Sequence, residues 1–267
     1  MNRNPSAPTW PAATIAEGNG VRYLQLGTPW VQGAMRIGKP FAIELEYVQR
    51  MMVWLLLRAG GELDKGHAVQ LGLGAGTITR FCHEKLRMQT TAVEINPTVI
   101  AACHTWFHLP LDAPRLLVVQ QDAAAFAADA TRAGSVQVLC VDLYDQEAAA
   151  PALDSEAFYA DCRRLLSDDG VMSVNVFGHQ SSAGDSARRI AAAFDASQVR
   201  TMEPTREGNS VVVAMKGASF PDAPLLAARA RNIETRYRLP ARKWLQMINP
   251  LPPMPPAPAS VKIREII

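Results

Sequence analysis

Short apolar runs alternate with segments of helical periodicity from residue 67 to residue 216. The apolar runs predict seven strands, at 67–71, 90–95, 115–120, 135–141, 171–177, about 198–203 and 209–216. The segments between them predict helices at 76–87, 97–107, 122–132, 154–166 and 183–195. Runs such as VQVLCVD and VMSVNVF are apolar almost throughout, which is typical of parallel strands buried on both faces. The pattern predicts an α/β fold with a doubly wound, mostly parallel seven-stranded sheet, whose last two strands form an antiparallel hairpin around PTREGN.

The segments outside this repeat predict a hairpin, a helix and a tail. VRYLQLGTPWVQGAMRIG alternates around Gly27-Thr28-Pro29 and predicts a small N-terminal β-hairpin, and IELEYVQRMMVWLLLRAGG has helical periodicity. NPLPPMPPAPAS is too rich in proline to pack and is interpreted as a tail or an extended arm. We therefore expect a loosely ordered N-terminus at 1–20, a hairpin and helix at 21–62, the main domain at 63–217, and a helix with a proline-rich tail at 218–267.

Composition excludes several classes of function. The 27 basic and 25 acidic residues nearly balance and form no Lys/Arg cluster, so neither nucleic acid nor an anionic membrane surface is expected as a partner. The N-terminus has no signal-peptide pattern, and MMVWLLL is too short to span a bilayer, so we expect a cytoplasmic protein. The cysteines are far apart, form no CxxC, and predict reduced, buried thiols: Cys82, Cys103, Cys140 and Cys162.

Three histidines, His104, His108 and His179, are weaker candidates for function. Cys103, His104 and His108 lie at helical spacing, but no carboxylate or third histidine lies close in sequence, so no metal site is expected. His179 follows the fifth strand and is interpreted as a solvated loop residue, with a position facing the cleft as the alternative.

A glycine-rich turn follows the first strand of the repeat, in HAVQLGLGAGTITRF. Gly72, Gly74 and Gly76 lie where doubly wound folds bind ligands, and glycines there allow a tight turn and let a ligand touch the main chain. A dinucleotide-binding fold requires G-x-G-x-x-G, but this chain has Thr77 at the third position. The G-x-G-x-G pattern instead resembles S-adenosylmethionine-binding, Rossmann-like folds, which makes 63–217 a nucleoside-binding catalytic domain.

Two carboxylates follow on the next strand ends. Glu94 ends the second strand and can accept two hydrogen bonds from a ribose diol, whereas Asp122 ends the third and can accept one from an adenine amino group. Each also fits a simpler interpretation, because Glu94 precedes the helix start Asn96-Pro97 and Asp122 is a good N-cap. The order of glycines, Glu94 and Asp122 along the chain favours nucleoside binding.

The fourth strand runs into VDLYDQEAAAPALDSEAFYADC, with Asp142 and Asp145 at the mouth of the same cleft. This stretch resembles the spermidine synthase family of aminopropyltransferases, whose fourth strand ends in Asp-x-x-Asp. The family follows this motif with a proline-containing loop and a Phe-Tyr helix, matched here by Pro151, Leu153, Phe158 and Tyr159.

The resemblance extends upstream and implies an activity. LGTPWVQGAM is similar to the family's hairpin and places Gln32 at its nucleoside-contacting glutamine, and IELEYVQRMM places Tyr47 at its substrate-facing tyrosine. The resemblance implies transfer of an aminopropyl or related group from S-adenosylmethionine or its decarboxylated form to a small amine, by in-line displacement and without a metal. It implies Asp142 as proton acceptor, Asp145 as amine holder, and a homodimer.

Three departures from the family keep other functions open. Ala75 replaces the loop aspartate that pairs with the ammonium of the decarboxylated donor, Val48 replaces a glutamine or histidine, and the substrate-closing segment has no counterpart after Met202. One alternative is an S-adenosylmethionine-dependent methyltransferase, which Ala75 makes easier. The other is a nucleoside-binding protein without turnover, against which the two aspartates count.

Overall fold

A small antiparallel sheet forms the N-terminal part of the described chain. The computed structural model of the chain describes residues 10–58, 60–111, 114–144, 153–177, 180–217 and 219–251. The small sheet has the strand order β1 (Thr14–Gly18), β2 (Val21–Gln25) and β3 (Val31–Arg36). The predicted β2–β3 hairpin is confirmed. The expectation of a loosely ordered N-terminus does not hold for Thr14–Gly18, because its mostly exposed residues pair along the whole of β2.

The main sheet has eight strands in the order β11-β9-β10-β8-β7-β4-β5-β6. Their bounds are β4 His67–Leu71, β5 Gln89–Glu94, β6 Leu116–Gln120, β7 Val136–Val141, β8 Leu166–Phe177, β9 Val199–Met202, β10 Asn209–Met215 and β11 Ile248–Pro250. Strands β4 to β8 pair in parallel, and β9 and β10 form the predicted antiparallel hairpin beside β8. The predicted doubly wound sheet is therefore confirmed.

The predicted number of seven strands is wrong. Ile248–Pro250 pairs with Met202–Arg200 of β9 as an eighth strand at the sheet edge. Proline is tolerated there because an edge strand has one side with no partner for its N–H groups. The proline-rich composition of this segment hid the strand from the sequence pattern.

Most of the helices are shorter than the periodicity predicts, whereas the helix predicted at 183–195 is longer and begins at Gln180. Their bounds are α1 Glu46–Met51, α2 Thr77–Arg80, α3 Pro97–Trp106, α4 Ala123–Ala128, α5 Glu156–Leu165, α6 Gln180–Phe194, α7 Ala223–Tyr237 and α8 Ala241–Trp244. α1 continues as a 3₁₀ helix at Met52–Leu56, and α2 continues as a π-helical turn at Phe81–Lys85. α4 stops early because Asp129 accepts a hydrogen bond from Thr131 N at 3.0 Å and so caps a separate 3₁₀ turn at Ala130–Arg132.

The hydrophobic core lies on both faces of the main sheet. One face packs against α4, α5 and α6, and the other against the 3₁₀ helix at Met52–Leu56 together with α7 and α8. Trp54 and Trp244 are almost completely buried on this second face, at 0% and 1% exposure. The segment after residue 218 therefore contributes to the core, as Ala230 and Ile233 of α7 also show.

The cysteines agree with the prediction of reduced, buried thiols. All four are free and buried. Burial raises the pKa of the Cys82 thiol to about 12, so it stays protonated and unreactive at neutral pH. Across the described residues, no helix combines the length and hydrophobicity that crossing a membrane requires.

Replacing Trp244 with alanine should destabilise the whole chain, because it empties a core position with 1% exposure. We expect the free energy of unfolding to fall by about 3–5 kcal/mol, measured by denaturant titration. Trp106→Ala is the matched control, since Trp106 is 46% exposed, and it should cost less than about 1 kcal/mol. Equal effects of the two substitutions would show that α8 is not part of the cooperative core.

Candidate active site

The glycine-rich turn joins β4 to α2 and lies in direct contact with two other elements. At Gly72, which has a φ of +85°, a Cβ atom would come 2.1 Å from the carbonyl oxygen of Asp142. At Gly74, a Cβ would come 2.9 Å from the carbonyl oxygen of Gln32. Glycine is required at both positions because the end of β7 and the strand β3 occupy the space of a side chain. The main chains of Gln32 and Asp142 therefore both lie against the glycine turn.

Gln70 fixes the shape of this turn from inside the sheet. Its Nε2 donates hydrogen bonds to Gly72 O at 2.6 Å and Leu73 O at 3.2 Å. Its Oε1 accepts from the backbone and hydroxyl of Thr79, at 3.0 and 2.6 Å. The sequence analysis missed this residue, although a glutamine inside the apolar strand HAVQL is a visible signal, since a buried amide must find partners.

The β2–β3 hairpin packs directly against the glycine-rich turn. A Cβ at Gly33 would lie 2.5 Å from Ala75 N, so β3 and the turn touch through their main chains. Arg80, which is 1% exposed, donates to Gly76 O at 3.2 Å and to the carbonyl oxygen of Pro40, which follows the hairpin. Burial lowers the pKa of Arg80 to about 10, so the guanidinium stays charged at neutral pH.

Glu94 stands beside the turn at the end of β5, as the sequence predicts. Its Oε2 accepts from Leu73 N and its Oε1 from Asn96 N, both at 2.9 Å. Burial raises the pKa of Glu94, while the backbone N–H donors act in the opposite direction. Each carboxylate oxygen can accept more than one hydrogen bond, so this arrangement holds the carboxylate in place and leaves capacity for a diol.

Asp122 follows β6, next to Glu94 in the sheet. Its Oδ1 accepts from Ala125 N at 2.8 Å, which confirms that it caps α4. Gln121 N donates to Glu94 O at 3.1 Å and keeps the two strand ends together. Asp122 is exposed, and its contact with a nucleoside stays a prediction.

Asp142 lies at the end of β7 and is held by two donors from other elements. Its backbone N–H donates to Leu71 O at 2.9 Å, which anchors it beside the glycine turn. Tyr47 OH of α1 donates to Asp142 Oδ2 at 3.3 Å, so two predicted site residues meet. Asn175 Nδ2 of β8 donates to Asp142 Oδ1 at 2.8 Å, and Asn175 Oδ1 accepts from Asn209 Nδ2 at 3.1 Å.

The two asparagines were missed by sequence reasoning. They lie far along the chain from Asp142 and reach it only through the strand order β7-β8-β10. Asn209 orients the amide of Asn175, because it donates to the oxygen and so directs the NH₂ group towards Asp142. The visible signal was again a polar residue in an apolar run, here VMSVNVF.

Burial raises the pKa of Asp142 to about 6, and the hydrogen bonds from Asn175 and Tyr47 limit the rise. The carboxylate is therefore ionised at neutral pH but accepts a proton more readily than an exposed aspartate does. Burial, followed by the charge of Asp142, raises the pKa of Tyr47, so its hydroxyl keeps its proton. This arrangement can take a proton from a cation placed against it.

Several residues singled out from the sequence are not among the contacts described above. Asp145, Pro151 and His179 fall outside the described residues. Tyr159 of the Phe-Tyr helix donates to Asp154 at 2.8 Å and is buried, a contact of the scaffold. Among the residues that the structure describes, no group of three or more His, Cys, Asp or Glu could hold a metal ion. The Cys103 thiol of α3 donates to Gly74 O at 3.0 Å and so contacts the glycine turn.

Comparison with known proteins identifies a matching family and relatives along most of this chain. A profile of the Spermine/spermidine synthase domain matches residues 69–219. The polyamine aminopropyltransferase of Neisseria meningitidis serogroup A is 30% identical over 245 residues, which cover 90% of each chain. The polyamine aminopropyltransferase of Chromobacterium violaceum is also 30% identical and covers 88% of each chain.

Solved structures share the fold. A probable spermidine synthase from Corynebacterium glutamicum superimposes with a TM-score of 0.68 at 19% identity and covers 83% of each chain. Human methyltransferase-like protein 13, solved in complex with SAH, superimposes with a TM-score of 0.63 at 21% identity, over 73% of this chain and 93% of its own. At these identities the superpositions show the Rossmann-like fold and leave the choice of reaction to other observations.

Replacing Asn175 with leucine should raise the pKa of Asp142 by about one unit, because it removes a donor that favours the ionised carboxylate. A ¹³C-NMR titration of the carboxyl carbons measures this change, with the Asp142→Asn spectrum assigning the signal. Ser173→Ala is the matched control on the same strand, because the buried Ser173 hydroxyl has no hydrogen-bond partner among the described residues. An unchanged Asp142 signal in Asn175→Leu would contradict the proposed effect of this hydrogen bond.

Proposed function

The chain belongs to the spermine/spermidine synthase family, and from this premise we propose that it transfers an aminopropyl or related group from a sulfonium nucleoside to a small amine. The observation that carries the proposal is Asp142, a carboxylate with a pKa of about 6 that is held by Tyr47 and Asn175 directly against the glycine turn. A nucleoside on that turn would have its 5′ substituent beside a proton acceptor. Binding a nucleoside without turnover would not require such a group.

The donor is proposed to lie across the carboxyl ends of β4, β5 and β6. Glu94 would accept hydrogen bonds from the ribose diol, and Asp122 would accept from the adenine amino group while capping α4. The glycine turn leaves the main chain open to the ligand, and Gln32 is placed on this turn by β3. The donor in this proposal is S-adenosylmethionine or its decarboxylated form, used as a co-substrate.

The reaction in this proposal is an in-line displacement. An alkylamine has a pKa near that of lysine, about 10.4, and must lose a proton before its nitrogen can attack. Burial disfavours the ammonium form of the amine and so lowers its pKa, and burial raises the pKa of Asp142. Both effects reduce the difference between the two pKa values, which makes transfer of the proton to Asp142 easier. The C–N bond then forms as the C–S bond breaks, and the sulfonium leaves as a neutral thioether, methylthioadenosine. Positioning of the two reactants supplies most of the rate.

Ala75 bears on whether the donor is S-adenosylmethionine or its decarboxylated form. Its side chain is 3% exposed, and it lines a narrow cleft between the hairpin and the turn. Among the described residues that line this cleft, Asp142 is the only carboxylate. Because Ala75 is uncharged, position 75 itself offers neither repulsion to a donor that keeps its carboxylate nor an ion pair to the donor ammonium. This observation favours acceptance of S-adenosylmethionine and keeps methyl transfer as the second candidate function.

The remaining parts of the proposal rest on the family resemblance. Asp145 is proposed to hold the amine, and the acceptor is proposed to be a small molecule. We also propose a homodimer in the cytoplasm. The N-terminal sheet supports an association between copies, because Val31 and Ile37 of the hairpin are exposed apolar residues, at 42% and 39%.

Replacing Asp142 with asparagine should reduce transfer at least about 100-fold, because the amide cannot take the proton. The affinity for methylthioadenosine, measured by calorimetry, should change less than about twofold. Glu94→Gln is the complementary control, since it should weaken methylthioadenosine binding about tenfold through loss of charge-assisted bonds to the ribose. Loss of nucleoside affinity in Asp142→Asn with transfer preserved would show that the two roles are reversed.

Replacing Ala75 with aspartate should create a preference for the decarboxylated donor. The new carboxylate would repel the donor carboxylate and pair with the donor ammonium, which we expect to shift the ratio of the two dissociation constants about tenfold. Competition binding with both donors measures this ratio. Ala75→Asn has the same size without the charge, so it separates electrostatics from crowding against Gly33. A wild-type preference for the decarboxylated donor above about 100-fold would contradict our interpretation of Ala75.

A further inference from the structure

A second cavity lies between α7 and the segment that follows α1, on the side of the main sheet that packs against α7 and α8. Its volume is about 40 Å³, whereas a buried water needs about 10–15 Å³, so it has room for a small polar group. Arg58, which lines it, donates to Asp169 O at 2.8 Å near the amino end of β8. Asn175 contacts Asp142 near the carboxyl end of the same strand. The cavity is therefore separate from the candidate active site.

Three arginines line this cavity, and we name it the arginine cavity. Arg58 belongs to the segment after α1, whereas Arg229 and Arg236 belong to α7. Asn232 lies between the last two in sequence, and the spacing of three, four and seven residues places all three side chains on one face of the helix. The other described lining residues are leucines, an isoleucine and a tyrosine, and none is acidic. The sequence shows no basic cluster because its members are far apart in the chain.

Two of the three arginines have no described carboxylate partner. Arg58 forms an ion pair with Asp169 Oδ2 at 3.2 Å. Arg229 donates to a backbone carbonyl of the 3₁₀ helix at 2.8 Å, and Arg236 Cζ lies 5.3 Å from the centroid of the Tyr237 ring. Neither contact neutralises a charge, and the described part of the chain places no carboxylate against either guanidinium. Partial burial lowers the pKa of Arg229, an effect that a bound anion would oppose.

The carboxylate of α7 itself is engaged elsewhere. Glu234 accepts from Arg242 N at 3.0 Å and pairs with the Arg242 guanidinium, and it is not among the residues that line the arginine cavity. Asp169 compensates one of the three positive charges in the cavity. The charges of Arg229 and Arg236 are therefore left for an anion from outside the described chain.

We propose that the arginine cavity binds a phosphate group, either inorganic phosphate or the phosphate of a small monoester. The guanidinium groups of Arg229 and Arg236 donate to its oxygen atoms, with the amide of Asn232 between them. Guanidinium N–H groups match the geometry of phosphate oxygens and can donate in pairs. A phosphate monoester carries a charge of about −1.5 to −2 at neutral pH, which balances two arginines, whereas a monocarboxylate balances one. This inference goes beyond the proposed function and uses no residue of the candidate active site.

Calorimetry with inorganic phosphate, in a chloride buffer of low ionic strength, tests the proposal on the full chain. We expect saturable binding with a Kd of about 1 mM or tighter. Arg236→Met keeps an unbranched side chain but removes the charge, so it should weaken binding about tenfold. Arg236→Lys should give an intermediate Kd, because an ammonium keeps the charge but cannot donate as a planar fork.

Arg231→Met is the matched control, because Arg231 is an exposed arginine of the same helix that does not line the arginine cavity. It should change the Kd less than about twofold. If Arg236→Met weakens binding no more than Arg231→Met does, the proposal is overturned, since the anion would then be held by surface charge in general. The absence of saturable phosphate binding to the wild-type chain would also overturn it.

A second titration, with glycerol 3-phosphate, distinguishes the two sources of the phosphate group. Tighter binding than that of inorganic phosphate would support a monoester as the ligand, and equal or weaker binding would support the free ion. Both titrations need no donor, no amine and no turnover. Phosphate binding that depends on Arg236 would therefore support the arginine cavity even if the chain transferred no group, and loss of this binding would leave the proposed function intact.

Discussion

The close approach of Gly72 to the carbonyl oxygen of Asp142 is the constraint on which the rest of the site depends. A Cβ at Gly72 would come within 2.1 Å of that oxygen, so any side chain there would push the ends of β4 and β7 apart. The hydrogen bond from Asp142 N to Leu71 O, at 2.9 Å, fixes the same junction. Because of this junction, the turn that would hold a donor and the carboxylate that would take a proton are held next to each other. Positioning on this scale is what an in-line displacement needs.

A partly buried carboxylate, Asp142, and a buried guanidinium, Arg80, hold the elements around this junction, and neither has a partner of opposite charge among its described hydrogen bonds. Asp142 is held by the neutral donors Tyr47 and Asn175, and Arg80 by backbone carbonyl groups of the turn and of the segment after the hairpin. Burial without ion pairing shifts both pKa values towards the neutral form, to about 6 for the acid and about 10 for the base. For Arg80 the shift has no consequence at neutral pH. For Asp142 it brings the pKa close to the working range of a general base.

Residues that belong to local patterns were predictable from the sequence. The glycines, Glu94 and Asp142 each follow an apolar strand, so the α/β repeat places them at one edge of the sheet without any coordinates. Tyr47 came from the family resemblance, and the structure brings its hydroxyl to Asp142 at 3.3 Å. Asn175 and Asn209 were not predictable, because their contact depends on which strands are neighbours. β11 was missed for a different reason, since its pairing at the sheet edge tolerates the prolines that argued against a strand.

Asn175 contacts both the proton acceptor and the segment that follows it. Its side-chain amide donates to Asp142, and its backbone carbonyl accepts from Tyr144, two residues further along the chain. The residue that favours the ionised form of Asp142 therefore also fixes the position of Tyr144. Ala75, in contrast, adds no carboxylate of its own to the turn, which Glu94 already contacts through Leu73 N. Discrimination in this chain would then depend more on how the acceptor is held beyond Asp142 than on a charge at position 75.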